Sequence, residues 1–380
     1  MKKIYYIAVV FAILFLAGCG DGIDLPGVNV ETDLNKIPLP DNNVNLEQVE
    51  LKPSTEPMLH EGLHTEEDFQ RIRDKKAAGE EPWVSAYQLL VESQFSQKTA
   101  DTYPTEWIKR GVSGDENYMN AARGATIAYQ QALRWKIEQD DEYAAKAVEN
   151  LNKWVQTCVG VTGNTNLSLA AGLYGYEFAI AGELLRDYEG WDRADFAAFQ
   201  NWLLKVFYPA NDDFLKRHHD TNALHYWANW CLCNIAAKMA IGIVTDRRDI
   251  YNEGIGHLQT GDTNGRLRRA IYHDYAPDYN FAQWQESGRD QGHTLMCVGL
   301  MGVICQLAWS QGDDFFAYDD NLFMRACEYA ACCNYTNETV PYTTYIWQKQ
   351  SQWGYPIPEE QTTLAVSYTH LRAHETCADL

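Results

Sequence analysis

Apolar residues recur every three or four positions through most of this chain, the spacing of one face of an α-helix. That period predicts helices over Tyr118–Gln139, Glu142–Cys158, Leu167–Tyr188, Ala194–Tyr208, Ala223–Ile243, Gly292–Gln311 and Asn321–Asn334, separated by turns with Gly, Asp or Asn. Upstream, Thr65 followed by Glu66, Glu67 and Asp68 predicts a helix start, with Thr65 as N-cap and Phe69 and Ile72 on its apolar stripe. Gly79 and Pro82 stop that helix, and Trp83 to Phe95 reads as the next. Strand alternation is scarce. Short connections between successive helices predict an all-α chain of paired hairpins. Leu169–Leu185 and Cys297–Trp309 are apolar nearly all round, as suits inner helices covered by a more amphipathic outer ring.

One stretch departs from this pattern. Arg266 to His293 gathers arginines, tyrosines, glutamines, histidines and carboxylates between two apolar helices. Such a cluster is expensive to order unless it meets water or a ligand. The chain also carries 12 Trp and 23 Tyr, whose flat faces suit sugar rings as well as cores. Its net charge of −21 argues against nucleic acid, which needs Lys and Arg against phosphate. Arg266, Arg268 and Arg269 are a local basic exception. No phosphate loop, nucleophile elbow or zinc spacing is present, and Asp262-Thr263-Asn264-Gly265 lacks the remaining ligands of a calcium loop. The expectation is therefore a chain without metal or cofactor.

The first residues point to export. Met1-Lys2-Lys3 is basic, Ile4–Phe15 is apolar but short for a membrane span, and Leu16-Ala17-Gly18-Cys19 resembles a bacterial lipobox. Residues 1–18 then read as a signal peptide, Cys19 as the lipidated residue of an outer-membrane lipoprotein, and 19–57 as a flexible tether. The following Gly20–Asp24 resembles the export signal of Bacteroidetes surface lipoproteins. Residues 58–363 would be the folded domain; 364–380 lack any period and resemble sequencing-adapter read-through. Cys231, Cys233, Cys297, Cys305 and Cys327 lie in apolar helical runs, which predicts buried free thiols.

Two blocks carry a resemblance. Tyr226–Trp230 reads YWANW and follows Asn222 and His225; Arg268–Tyr275 reads RRAIYHDY. They resemble the Asn-His and Arg-to-Tyr blocks of polysaccharide lyase family 5, the alginate lyases. With the lipoprotein start, YWANWCLCNIAAKMAIGI and QESGRDQGH, the chain is similar over about residues 60 to 360 to polysaccharide lyase family 38 of Bacteroidetes. The resemblance implies an (α/α) toroid that cleaves an acidic polysaccharide, alginate or glucuronan, by β-elimination. It also implies that Tyr275 is base and acid, that Arg268 lowers the Tyr275 pKa, and that Asn222 and His225 neutralise the uronate carboxylate. His225 lies one position beyond the family histidine, so His218 and His219 are its rivals, and Asn229 is a rival for Asn222.

Around these, Arg289 and His293 read either as carboxylate ligands positioned by Glu286 or as parts of a helix cap with Asp290 or Ser287. Trp227, Trp230, Tyr279 and Trp284 are candidates for sugar subsites, with core packing as the other reading. Two other classes stay open. A glycoside hydrolase would need opposed carboxylates, Glu286 with Asp274 or Asp290. A non-catalytic glycan-binding lipoprotein would need no Arg268–Tyr275 pair.

Overall fold

The computed structural model describes residues 54–288, 290–336 and 340–343. The signal peptide, Cys19, Arg289 and the 364–380 tail lie outside them. Thr65 opens α1 (Glu66–Ala77) through a reciprocal cap: the Asp68 N–H donates to Thr65 Oγ1 and the Thr65 N–H to the Asp68 carboxylate. There follow α2 (Trp83–Glu92), α3 (Tyr118–Glu138), α4 (Asp141–Thr157), α5 (Leu167–Leu184), α6 (Arg193–Val206), α7 (Tyr208–Arg217), α8 (Ala228–Val244), α9 (Arg248–Thr260), the single turn α10 (Leu267–Ala270), α11 (Gln291–Ser310) and α12 (Tyr318–Ala331).

The apolar helices are the inner ones. α5, α8 and α11 are buried almost all round, and α3 over most of its length, whereas α4, α6 and α9 bury one stripe only. α11 is long and apolar enough to cross a membrane, yet most of it is buried within the domain. This is an (α/α) toroid with an inner and an outer layer. Its close approaches use glycine: a Cβ on Gly172 of α5 would fall 2.5 Å from Cys233 Sγ of α8. All eight described cysteines are free.

α7 and α9 were not expected, although α9 buries Ile250, Tyr251, Gly254, Ile255 and Leu258 along one stripe. Pro209 fits α7 because a helix's first turn needs no N–H there. Both are fixed by Lys238 of α8, fully buried, whose Nζ reaches Asp212 of α7 at 2.7 Å and Glu253 of α9 at 2.5 Å.

The ends of the inner helices differ. Two small sheets sit where inner helices begin. β1 (Trp107–Arg110) and β2 (Gly160–Gly163) pair in parallel just before α3 and α5. β3 (Ile271–Asp274) and β4 (Ala282–Trp284) pair antiparallel just before α11, with a bulge between Ile271 and His273. At the other end, Ser54–His64 runs as a strap. Arg248 donates to the Glu56 and Pro57 carbonyls, Asn252 to that of Ser54, and Gln311 exchanges hydrogen bonds with Leu59 and reaches Glu61. Ser54–Pro57, expected in the tether, are thus docked. Nearby, Arg186 holds Glu183 at 2.8 Å and donates to the Ile243 and Val244 carbonyls, closing the C-terminus of α8.

Candidate active site

The loop from His218 to Trp227 enters α8. His218, His219 and Asp220 all have left-handed backbones (φ 48°, 52° and 60°), a conformation costing about 1 kcal/mol or more at each such residue. Thr221 steadies them by donating to the His218 carbonyl through both its N–H and its hydroxyl. Asn222 then makes a local turn: its Oδ1 accepts from Leu224 N–H at 2.9 Å, and its carbonyl accepts from His225 N–H. The helix therefore starts at Ala228, not at Ala223 as its periodicity suggested. The apolar period continues into the loop because Tyr226 and Trp227 are buried there.

The three histidines have different surroundings. His218 is buried against Phe214 with Cys231 Sγ 3.6 Å from its ring nitrogen; burial pushes its pKa down to about 4. It is neutral at ordinary pH and poorly suited to offset a carboxylate. His219 is lowered too, chiefly by burial, and bonds Ser168 Oγ at 3.0 Å. His225 is half-buried, its ring edge-on to Tyr226 at 4.9 Å. His219 and His225 are both half-buried, whereas His218 lies inside.

The second segment is the β3–β4 hairpin with α10. The Tyr275 hydroxyl donates to Gln283 Oε1 at 2.6 Å and lies 3.0 Å from Thr343 Oγ1. His273 stands 4.6 Å away, ring to ring. Burial is the largest influence on the phenol and pushes its pKa up to about 12. This corrects the expectation that Arg268 lowers it. Arg268 is itself buried and forms an ion pair with Asp319, in a second left-handed run at Asp319–Asn321. Sequence reasoning also missed Gln283: it is fully buried, and its amide holds both the phenol and the Thr343 backbone.

Three ties bring the segments side by side. Trp227 packs on Tyr272. Asn264 donates to the Leu224 and Tyr226 carbonyls. Gln285 Oε1 accepts from Ala228 N–H, and Glu286 Oε1 from Asn229 N–H, so α8 receives its N-terminal acceptors from 57 residues away.

A family model described as "Alginate lyase" matches residues 72–338, most of the chain. The chain belongs to the alginate lyase family. It is thus a polysaccharide lyase, an enzyme that breaks a carbon–oxygen bond. No curated protein matches it in sequence. Among solved structures, an alginate lyase from Bacteroides ovatus is 14% identical, with a TM-score of 0.55 over 84% of this chain and 94% of that one. Alginate lyase A1-III from Sphingomonas species A1 is 12% identical, with a TM-score of 0.51 over 73% and 79%. A form of A1-III complexed with a tetrasaccharide is 13% identical, with a TM-score of 0.52 over the same shares. At these identities the likeness is one of fold.

Several residues expected at this lyase's substrate surface are buried instead. Trp284 is fully buried and its indole N–H donates to the Ala326 carbonyl, so it offers no face to a sugar. Trp227 is 5% exposed and lies in the contact with Tyr272. Glu286 is fully buried and caps α8; Cys297 Sγ lies 3.5 Å from its Oε1. Asn229 is 1% exposed, with Nδ2 on Met296 Sδ. His293 sits in the cap of α11, where the Asp290 carboxylate accepts from its N–H at 2.7 Å and lies 2.6 Å from its ring Nδ1. That is the capping alternative for Asp290. Tyr279, 52% exposed, remains available to a ligand. With Asp274 holding Arg325 at 2.6 Å, each carboxylate of the hydrolase pairing already has a structural partner.

Proposed function

We propose that the site end of this toroid cleaves a 4-linked polyuronate, alginate (polymannuronate) or glucuronan, by β-elimination, with Tyr275 as base and acid. The observation that carries the reading is the juxtaposition of the Asn222–His225 loop and the Tyr275 hairpin where inner helices begin. In this scheme Asn222 and His225 face the uronate carboxylate and offset the charge that develops on it. The Tyr275 phenolate takes the C5 proton. The electron pair of that C–H bond becomes the C4–C5 double bond as the C4–O4 bond breaks, and the phenol returns the proton to O4. Tyr279, exposed beside Tyr275 with rings 6.5 Å apart, supplies a face for a neighbouring sugar. Arg268, in the turn leading into β3, is held in its pair with Asp319.

The lipobox-like Leu16–Cys19 supports export as a lipoprotein held in the outer membrane through Cys19. The test of function is ultraviolet absorbance over time with polymannuronate, polyguluronate and glucuronan. Rising absorbance from unsaturated sugar ends on one of them names the substrate. New reducing ends without that absorbance would mean hydrolysis and overturn the scheme.

A further inference from the structure

We propose that Asn264 is a positioning residue for His225; the proposal rests on the lyase reading above. Asn264 is 2% exposed and belongs to the Asp262–Gly265 turn between α9 and α10. Thr263 Oγ1 accepts from Gly265 N–H within that turn, and a Cβ on Gly265 would fall 2.5 Å from Cys231 Cβ. The turn therefore lies directly on the first turn of α8. From there Asn264 Nδ2 donates to the Leu224 carbonyl at 3.1 Å and to the Tyr226 carbonyl at 2.8 Å.

Those carbonyls flank His225. One amide group fixes the Leu224–His225 peptide just before the imidazole and the Tyr226–Trp227 peptide one residue beyond it, while Asn222 Oδ1 accepts from the Leu224 N–H. Asn264 also precedes Arg268 by four residues, so the same side chain sets the loop against the hairpin. The position requires two N–H donors on one short side chain, which Asn has and Asp lacks. Nothing in the hydrophobic pattern marks it, because its partners lie 38 and 40 residues away.

The test is a double-mutant cycle on the polyuronate that the wild type cleaves. Asn264→Ala and Asn264→Asp should each lower kcat about tenfold or more while KM changes less than about threefold. Asn264→Ser, which keeps one donor, should fall between them and the wild type. In a His225→Ala background the same substitutions should cost less than about twofold, since the group they position is gone. Equal losses in both backgrounds would overturn the proposal. A second readout needs no turnover: the His225 imidazole resonance, assigned by its disappearance in His225→Ala, should move and broaden in Asn264→Ala. An unchanged resonance would overturn the proposal even if activity fell. A wild type that forms no unsaturated ends would sink the lyase reading, while the resonance would still decide the clamp.

Discussion

The two ends of the toroid are built differently. At the site end the backbone is left-handed at His218–Asp220 and Asp319–Asn321, an ion pair is buried at Arg268–Asp319, and α8 borrows its cap from Gln285 and Glu286. At the strap end Ser54–His64 lies in ordinary hydrogen bonds across helix termini, and Arg186 satisfies two orphan carbonyls and a buried carboxylate together. Runs of left-handed backbone gather where chemistry is proposed, whereas the strap end pairs the left-handed Asp246 with the longer-range hydrogen bonds, from Arg248, Asn252 and Gln311 to Ser54–Glu61. Substitutions at the first end should therefore cost turnover and at the second cost stability.

The sharpest break is Tyr275→Phe, expected to lower kcat by about a thousandfold or more with thermal stability within about 1 kcal/mol of wild type. The same phenol sets the pH profile. With its pKa pushed up to about 12, its ionised fraction grows roughly tenfold per pH unit below that value, so kcat/KM should climb through the alkaline range. A bell centred near neutrality would contradict the role. At the strap end the reverse is expected. Arg186→Leu leaves the Glu183 carboxylate buried without its cation and should cost about 3 kcal/mol in urea unfolding, with kcat of the folded fraction unchanged.

Glu177→Gln probes the lumen between the ends. Gly124 of α3 faces Trp154 and Gly182 of α5 faces Phe199, both outward, so Thr126, Tyr129, Tyr176 and Glu177 line a cavity on the opposite, inner faces. Burial raises the Glu177 carboxyl from 4.5 to about 8, and its Oε2 has no hydrogen-bond partner. Between pH 4.5 and 8 the unfolded chain has released this proton and the folded chain keeps it, so the wild type loses stability as pH rises through that window. Gln carries no such penalty. Its advantage should be near zero at pH 4.5 and reach about 2 kcal/mol above pH 8 in thermal unfolding, with discount for partial solvent access. A gap that does not widen with pH would refute the assignment. The smallest effect is Gln311→Ala, about 1 kcal/mol from loss of its bonds to the strap, with no change in turnover.

The same contrast explains what the sequence disclosed. Helix pairs, the Thr65 N-cap and a cap for α11 from Asp290 or Ser287 depend on residues within one or two turns of each other, and all three were legible to that extent. So were the inner helices, apolar all round. α7 and α9 were overlooked although α9 carries an apolar stripe; Lys238, Asp212 and Glu253 place polar contacts inside an otherwise apolar interface. The site loop misled for a related reason: Tyr226 and Trp227 continue the helical spacing while the backbone turns on Asn222. Glu286, read as a substrate group, instead caps a helix that begins 58 positions earlier in the chain. No local pattern encodes such a partner.

The strap has a consequence for presentation. Chain entering at Ser54 meets α9 and then the C-terminal ends of α8 and α11, and reaches α3 at His64, which bonds Tyr129 at 2.6 Å. Whatever holds the protein through residues before Ser54 therefore pulls on the end opposite His225 and Tyr275. An attachment there would leave the proposed reaction surface, at the opposite end, uncovered by the anchor.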